Sequence, residues 1–199
     1  QQSLSMAKDL SAATKTVTDA VTIYANENES VSSMLNKAQP TVLLSAASGM
    51  SSSSSADAIQ GILNQFNLSE DQAMHVADTV EKLSSEIALD FSKGCDTISQ
   101  SIATSGSVVN EAGMSFEKYA ALVSTTAEKT RVSGSQIGNA FKTIFSRISR
   151  SKDGLTTDAE MSDAEAALKS VGVSVRRADG DLRDISDTLD DLNKVCIMQ

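Results

Sequence analysis

A helix start followed by an apolar stripe at residues 133–148 constrains the fold more than any other stretch of the sequence. Ser133 and Gln136 have the spacing of a capping box, in which each side chain accepts a hydrogen bond from the other residue's backbone N–H group. The apolar positions that follow recur every three or four residues, which is the period of a helix buried along one side. They are Ile137, Ala140, Phe141, Ile144, Phe145 and Ile148. The segment is predicted to be an amphipathic helix.

Similar helix starts occur earlier in the chain. Ser69 and Gln72 form a second capping box, which predicts a helix through about residue 89. Ser115 is placed to cap another helix. Each of the two capping boxes follows one helix and begins the next, which predicts helical hairpins stacked along the chain. Between them, Gly106 weakens the helix expected from 92 to 112, and we expect a break there.

The N-terminal part shows a short heptad stripe, formed by Met6, Leu10, Ala13, Val17, Ala20 and Tyr24. Such a stripe packs either in the chain's own bundle or against another chain. A helix that begins at Ser30 is expected to end before Pro40, because proline disfavours helical geometry in its predecessor. The serine run at 51–55 is either a flexible linker or the cap of the following helix.

Near the C-terminal end the pattern changes. Two short extended candidates flank the Asp-Gly turn at 179–180 and predict a small β-hairpin between Val173 and Arg183. A last helix follows, with an acidic outer face. The predicted fold is therefore all-α, made of helical hairpins or a bundle, with this β-hairpin added. We divide it into a helical segment at 1–50, a helical core at 51–155, and a helix, β-hairpin and helix at 156–199.

The residue types present and their spacing favour a protein without catalytic activity. The lone His75 has neither a cysteine nor an evident carboxylate beside it, so we expect it to serve packing. Cys95 and Cys196 lack metal-type spacing and are interpreted as reduced thiols in a chain made in the cytoplasm. No enzyme, metal or cofactor is expected. No apolar run reaches the length of a membrane span, and the absent initiator Met suggests a piece of a longer polypeptide.

Charge is distributed unevenly. The net charge is −9, which argues against extensive nucleic-acid coating, yet residues 129–152 carry six Lys or Arg and no acidic residue. This strip could touch phosphates or an acidic neighbour, but we favour a solvated face paired with the Asp-rich C-terminal helix. Lys142, Arg147 and Arg150 are the candidate partner contacts on the polar side of the 133–148 helix and its end.

The segment Gly113–Lys152 resembles a known family. Its Gly-x-Ser start, its Ser-x-x-Gln turn and its ending Ile-Gly-Asn-Ala-Phe-Lys-Thr-Ile-Phe-Ser-Arg-Ile are similar to the core region of phage tail tape measure proteins. The flanking segments 21–26 and 168–192 resemble the family's adjoining regions in the same order. The resemblance covers most of the chain.

The resemblance implies a structural virion protein in the tail lumen that sets tail length during assembly and takes part in genome ejection. Expected partners are other copies of itself as a trimer or hexamer, tail tube and tail tip proteins, a tail assembly chaperone, and DNA during ejection. During assembly the protein would reside in the bacterial host cytoplasm. The alternative is a helical protein-binding module of prophage or bacterial origin. A hydrolase fragment is the weakest hypothesis, because the sequence points to no acid or nucleophile in a reactive cleft.

Overall fold

The protein is helical throughout the part that the computed structural model describes, which is residues 14–26, 30–87, 90–149, 163–178 and 183–197. The α-helices there are α1 Thr14–Asn26, α2 Val31–Ser48, α3 Ser52–Phe66, α4 Ala73–Glu86, α5 Phe91–Glu111, α6 Phe116–Thr130, α7 Gly134–Ser149, α8 Asp163–Ser170 and α9 Ile185–Ile197. A short 3-10 turn at Glu70–Gln72 leads into α4. The predicted all-α class is confirmed.

Both predicted capping boxes are formed. The backbone N–H of Ser69 donates to Oε1 of Gln72 at 3.2 Å, and the N–H of Ser133 donates to Oε1 of Gln136 at 3.1 Å. Ser115 caps α6 by accepting from the N–H of residue 118 at 3.4 Å. These bonds satisfy donors that a helix start leaves free, so each helix begins where its sequence signal lies.

The serine run at 51–55 is a helix start and not a linker. Ser51 is the N-cap of α3 and accepts from the N–H of Ser54 at 3.0 Å. Ser55 already lies inside the helix and is fully buried. Of the two interpretations left open by composition, the cap is therefore correct.

The predicted end of the second helix before Pro40 is wrong, because α2 continues through this residue to Ser48. Proline removes one backbone hydrogen bond and costs about 3 kcal/mol inside a helix. Ala38 and Val42, on either side of the proline, are fully buried. Tertiary packing on both sides of Pro40 therefore outweighs the lost bond, and the helix stays continuous.

The expected break at Gly106 is also wrong. Helix α5 runs unbroken from Phe91 to Glu111, and a Cβ atom at Gly106 would lie 2.8 Å from Cβ of Gln65 and 3.2 Å from the ring of Phe66. The glycine therefore allows α5 to approach α3 closely.

Helices α5 and α7 also approach closely through small residues. A Cβ atom at Gly138 would lie 2.7 Å from Cβ of Thr104 and 2.9 Å from the carbonyl oxygen of Ser101. The hydroxyl of Ser101 donates to the carbonyl of Gly134 at 2.8 Å. This contact holds α7 against α5. Of the apolar stripe predicted for residues 133–148, Ile137 and Phe145 are buried, whereas Ala140 and Ile144 are exposed.

Two groups of buried side chains form the interior. The larger group extends from Leu44 on α2 to Val175. At its centre, the ring centroid of Tyr119 lies 5.6 to 6.3 Å from those of Phe66, Phe141 and Phe145. The smaller attaches α1 to α2 and α3 and consists of Val17, Ala20, Tyr24, Ala38, Val42 and Ala56. The described half of the heptad stripe, which lies in the smaller group, thus packs in the chain's own bundle.

The predicted β-hairpin between Val173 and Arg183 is not supported. The described residues on its two sides contain no strand; its tip at 179–182 lies outside the described residues. The N–H of Arg183 donates to the carbonyl of Val175 at 2.9 Å, and its guanidinium donates to the carbonyl of Ser174 at 2.8 Å. One backbone bond and one side-chain bond from Arg183 thus join the two sides in place of a strand ladder.

Burial of Tyr119 leads to a prediction about alkaline stability. Burial raises the pKa of Tyr119 to about 12, whereas an unfolded tyrosine has a pKa of about 10. The unfolded chain therefore loses this proton first, so the contribution of Tyr119 to stability is complete below pH 10 and is lost as the pH rises toward 12. We expect urea midpoints to fall over this interval, and to fall less in Tyr119→Phe. Equal declines in both proteins would contradict the prediction.

Candidate interaction surfaces

The basic strip at 129–152 does not form one described patch. Lys142 is exposed on α7, while Lys129 and Arg131 are exposed at the end of α6. Arg147 belongs to α7, but its side chain lies outside the described part of the structure. Arg150 lies outside the described residues. Of the three candidate contacts, only Lys142 is therefore placed on the surface.

The acidic C-terminal helix pairs with cations outside this strip. Nζ of Lys118 on α6 lies 3.0 Å from Oδ2 of Asp184, and Asp191 lies 2.8 Å from Arg183 and 3.0 Å from Lys194. The side chains of the strip from residue 147 onward lie outside the described residues, so the predicted pairing of strip and acidic helix stays a prediction. Exposed pairs of this kind stabilise by about 0–1 kcal/mol each.

His75 has a carboxylate partner that sequence reasoning missed. Its Nε2 lies 2.8 Å from Oε1 of Glu117, and both side chains are about half exposed. Burial acts to raise the pKa of Glu117, but hydrogen bonds from His75, the backbone and Ser115 outweigh it, so the pKa lies below its usual value. The partner is 42 residues away in sequence, and no local signal identifies it. The pair joins α4 to α6.

One lysine is fully buried beneath α1. Nζ of Lys37 lies 2.6 Å from Oε1 of Gln60 and 4.7 Å from the ring centroid of Tyr24. The hydroxyl of Tyr24 in turn lies 2.8 Å from that of Thr41. A buried ammonium group needs such partners, and these residues belong to α1, α2 and α3. The arrangement fixes the smaller buried group and leaves no opening for a substrate at Lys37.

A second buried charge lies near the turn after α8. Nε of Arg176 lies 2.9 Å from Oε1 of Glu165, and both side chains are largely buried. A cavity of about 200 Å³ lies beside them and is lined by Glu165, Lys169, Gly172, Val173, Ser174 and Val175. Ligand pockets are typically about 300–1,000 Å³. This cavity is therefore small for a ligand site.

The described residues offer little for metal binding or for a reactive thiol. No group of three His, Cys, Asp or Glu side chains within them is arranged to hold a metal ion. Cys95 is completely buried, and burial raises the pKa of its thiol, which lowers its reactivity. Across the described ranges, none of the helices is long and apolar enough to cross a membrane.

Comparison with known proteins gives two matches. A family model described as "Phage-related minor tail protein" matches residues 1–196. A protein of Escherichia phage P2 named "Probable tape measure protein" is 26% identical over 145 residues, which is 73% of this chain and 16% of that protein. The chain thus spans less than a fifth of this relative's length. No solved structure matches.

Proposed function

The chain belongs to the family of phage-related minor tail proteins, and on this premise we propose that it is a structural part of a tape measure protein. In this role it lies in the tail lumen of the virion, helps to set tail length during assembly in the host cytoplasm, and takes part in genome ejection. The match over residues 1–196 is the observation that supports the proposal most strongly. The phage P2 relative, named as a probable tape measure protein, supports it further.

The role needs no catalysis, and we propose that the chain is not an enzyme. Several titratable groups of the described residues hold helices together. His75 and Glu117 join α4 to α6, and Lys37 is enclosed between Gln60 and Tyr24. A reactive centre needs a nucleophile or base that faces a cleft, and none of these groups has that setting.

Tail tube and tail tip proteins, a tail assembly chaperone and ejected DNA are the proposed partners. Lys142 is an exposed cation on α7, and together with Arg147 and Arg150 it is our candidate for such contacts. Charge reversal at Lys142 tests this. We expect Lys142→Glu to weaken binding to purified tail tubes at low salt, with the helix content unchanged. Lys82→Glu, at an exposed position on α4, is the control, and equal binding by both variants and the parent would exclude Lys142 as a contact.

Self-association through the heptad stripe is limited by the fold. Val17, Ala20 and Tyr24, the described half of the stripe, have no exposed surface, so a trimer or hexamer seamed by these three residues would require α1 to leave the bundle. We expect the chain, at moderate concentration, to give the mass of a monomer in light scattering at both low and high salt. A salt-resistant trimer or hexamer would contradict this and would show that α1 exchanges its partners. A monomer with an unrelated protein target would favour the alternative of a helical binding module.

The decisive experiment is an in-frame deletion of this segment in the phage that encodes it, followed by electron microscopy of tails. A fully helical, extended segment of 199 residues would span about 300 Å at 1.5 Å per residue. Tails shortened by about this length would support both the proposed role and an extended form in the tail. A much smaller shortening would support the role with the compact fold retained. Tails of unchanged length would refute the length-setting role.

A further inference from the structure

Three glycines mark equivalent turns along the chain. Gly49, Gly113 and Gly172 have φ values of 71°, 89° and 84°, in the left-handed region that favours glycine. Each ends a helix, and each is followed by an apolar residue and then a serine, giving Gly-Met-Ser at 49–51, Gly-Met-Ser at 113–115 and Gly-Val-Ser at 172–174. A left-handed glycine thus follows the ends of α2, α5 and α8, although the N–H of Gly49 donates to the carbonyl four residues earlier and those of the other two to the carbonyl three residues earlier.

A second marker follows the first two of these turns. Asn67 and Arg131 are the non-glycine residues with positive φ in the described chain, at 52° and 58°. Each ends a helix, α3 or α6, and each stands two residues before a capping box. Residues 49 and 113, 67 and 131, and 69 and 133 are all 64 positions apart. The glycine turn, the helix end and the helix start therefore all recur with the same spacing of 64 residues.

The packing repeats with the same order. Helices α1, α2 and α3 contact one another in all three pairs, and so do α4, α5 and α6. Helix α4 packs on both α2 and α3, as α7 packs on both α5 and α6. We infer that the chain is a tandem array of one three-helix unit, with two complete copies, α1–α2–α3 and α4–α5–α6, and a third, α7–α8–α9, in which α7 contacts α8. This inference rests on the geometry and does not depend on the proposed function.

The third unit repeats the turn of the second in its hydrogen bonds. The N–H of Gly113 donates to the carbonyl three residues earlier at 2.9 Å, and the N–H of Met114 to the carbonyl five residues earlier at 3.3 Å. Gly172 and Val173 do the same at 3.0 and 2.9 Å. Met114 and Val173 are both buried, at 3% and 1% exposure. The difference is that α9 begins at Ile185, well after Ser174, whereas α6 directly follows Ser115.

The array explains an exposed apolar side chain on α7. Val76 and Val80 of α4 are fully buried, and 64 positions later they correspond to Ala140 and Ile144. Ala140 is exposed and Ile144 is 45% exposed. The second helix of the third unit has eight described residues, compared with 18 in α2 and 21 in α5. Less of α7 is therefore covered within the described part of its unit. In such arrays each unit packs chiefly on its neighbours.

Gly172 gives the sharpest test, because the repeated turn requires a left-handed backbone there and an extended backbone would not. In the array, Gly172→Ala forces alanine into the left-handed region and should lower the melting temperature by about 2–4 °C, as should Gly113→Ala and Gly49→Ala. In a strand, alanine would be neutral or stabilising. No atom lies within 4 Å of a Cβ built at any of the three glycines, so the effect reports backbone conformation without a clash.

Gly61→Ala is the matched control, because its Cβ also meets nothing within 4 Å but the glycine lies inside α3. We expect this variant to raise the melting temperature by about 2–4 °C. Since an end unit can open before the rest, amide hydrogen exchange should also become faster in α8 of Gly172→Ala and stay unchanged there in Gly61→Ala. A Gly172→Ala variant with an unchanged or raised melting temperature and unchanged exchange in α8 would overturn the third unit.

Discussion

Tyr119→Ala is expected to lower the free energy of unfolding by about 4 kcal/mol, the cost typical of removing a buried aromatic ring. The ring is completely buried and packs against aromatic rings from α3 and α7. Phe66 on α3 lies at 6.3 Å, and Phe141 and Phe145 on α7 lie at 5.6 and 6.3 Å. Its loss would leave a cavity where the three proposed units meet. Urea unfolding followed by circular dichroism measures the effect.

Tyr119→Phe is the matched control, because it keeps the ring and removes the hydroxyl. That hydroxyl lies 2.5 Å from Oγ of Ser105, which also donates to the carbonyl of Ser101 at 2.9 Å. Ser105 therefore keeps one partner, and a loss of about 1 kcal/mol is expected. If Tyr119→Ala lowered the free energy of unfolding no more than Tyr119→Phe does, the aromatic cluster around Tyr119 could not be the centre of the larger buried group.

The helix starts were predictable from the sequence because their signals are local. The capping boxes at Ser69 and Ser133 and the cap at Ser115 depend on residues at most three positions apart, and all three formed. The apolar stripe after Ser133 likewise marked the buried side of α7 at Ile137 and Phe145. Such features need no knowledge of distant parts of the chain.

The errors arose where tertiary contacts override local preference. Pro40 should end a helix, but burial of the residues around it keeps α2 intact. Gly106 should weaken α5, but the glycine is where α3 comes close. The extended run at 171–175 looked like a strand, yet its glycine ends α8 with positive φ. Each outcome depends on atoms that lie far away in sequence or on a backbone angle that composition does not encode.

The family was recognisable from residues 113–152, and the family match over residues 1–196 confirms the resemblance. The surface contacts were less predictable. His75 meets Glu117 from 42 residues away, and Asp184 meets Lys118 across 66 residues. Long-range charge pairs depend on how helices are stacked, which hydrophobic periodicity alone does not reveal. The division into segments 1–50, 51–155 and 156–199 stays a prediction.

Gly138→Val is the second variant with a large expected effect, a loss of about 3 kcal/mol from overpacking. At Gly138 an added Cβ would lie 2.7 Å from Cβ of Thr104 and 2.9 Å from the backbone oxygen of Ser101. Real Cβ contacts are longer than this, so α7 must move away from α5. The melting temperature should fall by about 6–12 °C. Differential scanning calorimetry of the whole chain measures the change.

Matched variants separate the close approach from a general effect of losing glycine. Gly61→Val also places a branched residue inside a helix, but no atom lies within 4 Å of the added Cβ, so we expect a change of less than about 1 kcal/mol. Thr104→Ala does not remove the Cβ that Gly138 faces and should not rescue Gly138→Val, whereas Thr104→Gly, which removes that atom, should recover part of the loss. Because the carbonyl of Ser101 stays in place, the rescue would be incomplete. Equal losses for Gly61→Val and Gly138→Val would mean that helix propensity, and not the contact between α5 and α7, sets the stability at these positions.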